Sequence, residues 1–174
     1  GVGTYTADRW KETGNTVGST VSQSTTAPAG FAYSAAASSD VGSIQYGVEL
    51  DAPDNNSQFP IGSTWTLSCW FTVDPTAFSP GASFRKAVGL SGDQVVAASN
   101  VPNWSSTGET SNGFTRYSST VTIDSSTSLG SGAIAVECFL GGLTEFGASG
   151  RFTGFQLEPG PVATPFEHRP IGTE

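Results

Sequence analysis

Residues 64–73 read T-W-T-L-S-C-W-F-T-V and alternate without a break. Trp65, Leu67, Cys69, Phe71 and Val73 fall on one phase; Thr66, Ser68, Trp70 and Thr72 fall on the other. Side chains of an extended chain point to opposite faces with a period of two. The segment therefore predicts a strand with one apolar and one mainly hydroxyl face, as in a half-buried antiparallel sheet. Three more segments repeat the pattern: SIQYGVEL (43–50), TRYSSTVTI (115–123) and AIAVECFLG (133–141). Weaker versions are TYTADRW (4–10), TVGSTVSQST (16–25), SFRKAVGL (83–90) and RFTGFQLE (151–158). Helical periodicity is nearly absent; 32–39 is a weak candidate that reads equally as loop. About eight to ten strands, parted by Gly, Pro, Asp, Asn and Ser, predict an all-β antiparallel β-sandwich, of jelly-roll type. Long loops are expected at 51–63, 74–82 and 99–114, where recognition residues usually sit.

With 174 residues, one domain is the expectation. The 22 glycines and 10 prolines suit a turn-rich β architecture. Only 13% of residues are charged, so the polar surface must be built from hydroxyls and amides. Lys and Arg number seven against a net charge of −8, which leaves no cationic cluster. Nucleic-acid binding is excluded on that ground, and an anionic membrane surface is disfavoured. No apolar run is long enough to span a bilayer as a helix, and no secretory leader pattern opens the chain. Cys69 and Cys138 both fall on the inward phase of their strands and read as free thiols acting as small core hydrophobes. The sequons at Asn55 and Asn103 are at chance level for so Ser/Thr-rich a chain.

Catalytic chemistry finds little support. His168 is the single histidine and lies in a proline-rich tail, where an interface role outweighs that of a general base. No GxSxG, HExxH or CxxC pattern occurs. Glu49 and Glu137 lie on outward phases, where single carboxylates are ordinary solvated groups, so a glycosidase pair is the weaker reading. A non-enzymatic protein is expected. Among ions, calcium suits the oxygen-rich stretch DAPDNNSQ best, through Asp51, Asp54 and Asn55; a loop built from Asx turns competes with a structural calcium site. Asp8 with Glu158 is a second, weaker pair. The aromatic residues lead further. Trp65 belongs to the apolar phase and is expected in the core. Trp70 lies outward, and an exposed indole offers a stacking platform for a sugar ring, with Arg116, Gln45, Glu49 and Glu137 supplying hydrogen bonds. A covering loop or neighbouring subunit is the competing fate of Trp70. Trp104, in VPNWSST, is a second contact candidate.

The ends of the chain carry one further signal. GFQLEPGPVATPFEHRP (154–170) begins as a strand, and then Pro159, Pro161, Pro165 and Pro170 preclude regular pairing. The sandwich is expected over 1–158, with an extended proline-rich tail over 159–174 that packs on the domain or leads to a following segment. GTYTADRW near the start and GFQLEPGPVATPFEHRPIGTE at the end resemble a module of bacteriophage tail fibres and tailspikes, and Trp65–Val73 resembles that module's central strand. The resemblance implies a carbohydrate-binding jelly roll in a homotrimeric virion adhesin, made in the bacterial cytoplasm, that binds host cell-surface polysaccharide. It implies that Gln156, Glu158, Thr164, Pro165 and Arg169 are structural. A purely structural or trimerising tail-fibre domain is the first alternative, and part of a polysaccharide depolymerase the second. Members often continue past this point, so a further segment is expected after Glu174.

Overall fold

The computed structural model describes residues 10–13, 21–37, 43–49, 60, 62–75, 82–87, 98–101, 104–122, 135–141 and 150–167. Among them eleven strands form in chain order: β1 (Trp10–Thr13), β2 (Val21–Ser24), β3 (Ser34–Ala37), β4 (Ser43–Glu49), β5 (Thr64–Phe71), β6 (Ala82–Ala87), β7 (Ala98–Val101), β8 (Ser105–Ser111), β9 (Phe114–Thr122), β10 (Ala135–Gly141) and β11 (Arg151–Pro159). They make a five-stranded sheet, β1-β4-β10-β6-β7, and a six-stranded sheet, β2-β3-β11-β5-β9-β8. Every pairing is antiparallel. Three successive pairs stay within a sheet as hairpins, β2–β3, β6–β7 and β8–β9; the other connections change sheet. The fold is an antiparallel β-sandwich, of the jelly-roll class.

The alternating segment at 64–71 is β5, held between β11 and β9 in the middle of the larger sheet. Its apolar phase lines the core: Leu67, Cys69 and Phe71 are buried, joined by Tyr117 and Val121 from β9 and Phe152 from β11. Trp104 stands edge-on to Phe71, ring centroids 5.4 Å apart, and Tyr117 meets the same ring at 6.1 Å. Burying one such aromatic ring contributes roughly 2–3 kcal/mol. Trp65 departs from expectation. At the end of the strand it is only half-buried, and its indole N–H donates to Ser63 Oγ at 3.0 Å.

Two segments read as loop or weak helix are strands. Ser34–Ala37 lies between β2 and β11, with Ala35 opposite Phe152. Small residues give no amphipathic contrast, so alternation was silent there. The expected 99–114 loop contains the end of β7 and all of β8. Residues 105–110 of β8 are exposed, so this edge strand has no apolar phase to detect. Its hairpin turns on Asn112 (φ 50°) and Gly113 (φ 80°), the left-handed pair that a two-residue turn requires.

The second phase of β5 is buried as well. Thr66, Ser68 and Trp70 face away from the core, yet none is exposed. The chain itself contributes cover: residues 160–167, beyond β11, fold back as a ribbon that bonds Thr66 and Glu158, Arg116 bonds Ser68, and Phe31 lies beside Trp70.

Candidate functional site

The outer face of the six-stranded sheet is laid out by register. Glu158, Thr66 and Thr120 form one cross-strand row; Gln156, Ser68 and Ser118 form the next; Thr153, Trp70 and Arg116 form a third. The register of β11 shifts between Thr153 and Gln156, and Gly154 sits in this irregularity at φ +63°. A methyl group on Gly154 would lie 2.6 Å from Phe31 Cζ and 2.9 Å from Trp70 Cδ1. Phe31 and Trp70 thus pack together over bare glycine backbone, the close approach that a strand glycine permits.

The ribbon is held to this face mainly by polar groups. Gly160 N–H donates to Thr64 O at 2.7 Å, and the Thr66 hydroxyl donates to Gly160 O at 2.6 Å. Glu158 accepts from the Thr164 amide at 3.1 and 3.2 Å and from the Thr164 hydroxyl at 2.5 Å. Gln156 accepts from the Glu167 amide at 3.0 Å. Phe166 meets Phe31 at 4.7 Å between ring centroids. Gln156, Glu158 and Thr164, three of the residues carried by the tail-module resemblance, therefore form one interlocked set.

Arg116 is fully buried on the same face. Its Nη2 donates to Ser68 Oγ at 2.9 Å and its Nη1 to Glu109 Oε1 at 3.2 Å. Its Nε and the Trp70 Nε1 are buried donors without a partner among the described residues. The Glu109 side chain is 47% exposed, so solvent screens the ion pair and its Coulombic contribution is small. Burial of Cys69 pushes its thiol far above the ordinary range, though it donates to Thr153 O at 3.3 Å. A thiol kept protonated in this way is no nucleophile at neutral pH. Tyr117 is also raised above its ordinary value, first by desolvation and then by the carboxylate of Asp74.

The sequence-derived contact residues divide. Trp70 and Arg116 are direct cross-strand partners, as a shared site requires. Neither is exposed, however: Trp70 retains 8% of its surface and Arg116 none. Trp70 is thus no open platform, and of its two expected fates the covering loop is the one observed. Alternation reports which face a residue takes, and the Phe31 loop and the ribbon decide whether that face meets water. Trp104 is likewise buried, packed on Phe71, and is a core residue in this structure. Gln45, Glu49 and Glu137 belong to the other sheet, on β4 and β10, where Glu137 stands opposite Gly47 and Glu49 opposite Ala135. The six candidates thus do not converge on one site. Asp51, Asp54 and Asn55, the calcium candidates, lie outside the described residues, as does Asp8. Its suggested partner Glu158 is occupied by Thr164. Among the described residues no group of three or more His, Cys, Asp or Glu side chains converges as a metal site would require.

Alternation placed Ser68 on the outward phase without marking it as a partner of Arg116, and it overlooked Glu109, Gly154 and the half-exposed Tyr33. Gly154 carried a usable signal, because a glycine inside a strand pattern marks a bulge or a close approach. Glu109 and Tyr33 carried none.

The fold and this covered polar face define an all-β sandwich domain with a self-occupied outer surface. No family model matches the chain, and no curated protein does. Among solved structures, it is similar to the CBM22-1 xylan-binding domain of Xyn10C from Paenibacillus barcinonensis, with 13% identity and a TM-score of 0.41, over 93% of this chain and 92% of that one. A cyclase from Fischerella sp. TAU, in complex with 4-(1H-indol-3-yl)butan-2-one, is similar over 78% of this chain and 68% of its own, with 15% identity and a TM-score of 0.39.

Proposed function

We propose that this domain binds polysaccharide on a bacterial cell surface, without catalysis, as part of a bacteriophage tail fibre or tailspike. The observation that carries the reading is the outer face of β5, β9 and β11, which gathers a tryptophan, an arginine, a carboxylate, an amide and five hydroxyl residues away from the core. Hydroxyl, amide and carboxylate groups beside an indole are what a polyhydroxylated ring requires, because each sugar hydroxyl both donates and accepts. The tail-fibre assignment is supported by the interlocking of Gln156, Glu158 and Thr164. Residues that bond one another to fix the chain's course are the kind a module retains as its signature.

A binding role is favoured over hydrolysis by three carboxylates on or beside the six-stranded sheet. Glu109 is paired with Arg116, Glu158 accepts from Thr164, and Asp74 bonds Tyr117. Each is already committed to a partner. A glycan array of bacterial capsular and O-antigen polysaccharides tests the reading, with release of reducing ends measured in parallel. Retention without cleavage is the expected result. Cleavage would transfer the domain to the depolymerases, and no retention on any polysaccharide would remove the binding role.

The structural reading draws on burial of both Trp70 and Trp104, which leaves neither indole open for contact in the covered state. Under it, sedimentation would find a stable trimer and the array would stay blank.

A further inference from the structure

We propose that Trp70, Gln156, Glu158 and Thr66 form a saccharide subsite that the ribbon 160–167 occupies in the free domain and that a sugar ring takes over when the ribbon lifts. This rests on the polysaccharide-binding reading above, and it adds where the ring lies and what competes for the place.

The ribbon offers this face the groups a sugar would offer. The Thr164 hydroxyl donates to Glu158 at 2.5 Å and receives a bond from Gln156 Nε2 at 3.4 Å, so it is both donor and acceptor. Gly160 O accepts from Thr66 as a ring or glycosidic oxygen could. A saccharide can therefore replace each of these bonds in kind, leaving no buried polar group stranded.

The ribbon's apolar hold is slight. Pro161, Val162, Thr164 and Pro165 are exposed, Val162 by 68%. Phe166 alone is seated against another ring, that of Phe31. Segments with few buried apolar contacts open at a fraction of the global unfolding free energy. Proline stiffness lets the ribbon redock with little loss of chain entropy.

Opening also relieves a local fault. Trp70 Nε1 is buried without a partner among the described residues, beneath a cluster in which Phe31 and Trp70 share the space over Gly154. Phe166 supports Phe31, so lifting the ribbon frees the ring that helps to cover Trp70. The indole N–H then gains an acceptor from a sugar hydroxyl, and its face becomes available for stacking.

Apparent affinity equals intrinsic affinity scaled by the open fraction. Loosening the ribbon tenfold should thus tighten binding about tenfold. Thr164→Val and Phe166→Ala, each in the whole chain, test this with two readouts: hydrogen exchange over 160–167, and affinity for soluble bacterial capsular polysaccharides. Expected are faster ribbon exchange, about tenfold tighter binding, and loss of that binding when Trp70→Ala is added. Faster exchange with unchanged or weaker binding overturns the subsite and leaves the polysaccharide reading intact, provided the parent chain binds. Unchanged exchange in both variants overturns the claim that these contacts hold the ribbon. If neither parent nor opened variants retain any polysaccharide, the binding role falls and the subsite with it. Thr164 is exposed, so its variant keeps the test available should Phe166→Ala not fold.

Discussion

Thr164 folds back on Glu158, donating both its amide and its hydroxyl to a carboxylate six residues earlier. That contact converts an exit from a sheet into a closed turn over the sheet. Pro159 ends the pairing opposite Trp65, and Pro161 and Pro165 prevent the chain from adding another strand. Hydrogen bonds to a charged acceptor contribute about 1.5–3 kcal/mol. Glu158→Ala is therefore expected to lower stability by about 2 kcal/mol. Chemical denaturation measures the loss, and limited proteolysis should cut within 160–167 before the sandwich unfolds.

Gly154→Ala should be costlier than an ordinary surface change. Its φ of +63° disfavours a Cβ by roughly 1–2 kcal/mol, and the methyl would meet Phe31 and Trp70. The Phe31 side chain is the element able to move. A double-mutant cycle with Phe31→Ala separates the terms: the Phe31 share of the clash disappears in that background, while the Trp70 share and the backbone part persist.

Asn112 joins two hairpins. Its left-handed φ of 50° serves the β8–β9 turn, while its Nδ2 donates to Ala27 O at 2.9 Å in the loop after β2. Asn112→Gly keeps the turn and loses the tether, so about 1 kcal/mol is expected. Asn112→Ala loses both, and about 2 kcal/mol is expected. Equal effects of the two substitutions would mean that the tether carries the whole contribution.

Tyr117 should make stability sensitive to alkali. Its phenol is raised above the unfolded value of 10.0 by desolvation and by Asp74. Above that value the unfolded chain has lost a proton that the folded chain still holds, so stability falls as pH rises. It is fully present below the unfolded value and is lost as pH climbs through the folded one. The fall should be shallower in Tyr117→Phe, as urea midpoints between neutral pH and alkali would show.

Cys69 should resist alkylation in the native state, because it is buried and its thiol is held protonated. Peptide mapping after brief iodoacetamide treatment at mildly alkaline pH should find it unmodified, and modified once urea unfolds the domain. Cys69→Ser should destabilise by about 1–3 kcal/mol, since a hydroxyl pays more for burial than a thiol does.

Much of the sandwich was legible because period-two alternation is a local property. Within β5, Leu67, Cys69 and Phe71 had to face one way and Trp70 the other, whatever their partners. β3 and β8 were not legible. Ser34–Ala37 lacks apolar contrast, and β8 is an exposed edge; both are strands through pairing with β11 and β9. The contact residues were legible only in part. That Trp70 and Arg116 take the same face followed from phase, whereas their adjacency followed from register, which depends on how two distant segments align.

Burial of that outer face was a tertiary decision altogether. The sequence by itself determined an all-β chain, the phase of each strong strand and a stiff ribbon that could not pair. Only the folded structure decided that the ribbon bonds to the polar phase at Thr66, Gln156 and Glu158 and that Phe31 packs beside the indole. The physical reason is range. Strand geometry is set by neighbours one or two residues away, while Trp70 is neighboured by Phe31, which in turn meets Phe166, groups brought together only once the sheet has formed.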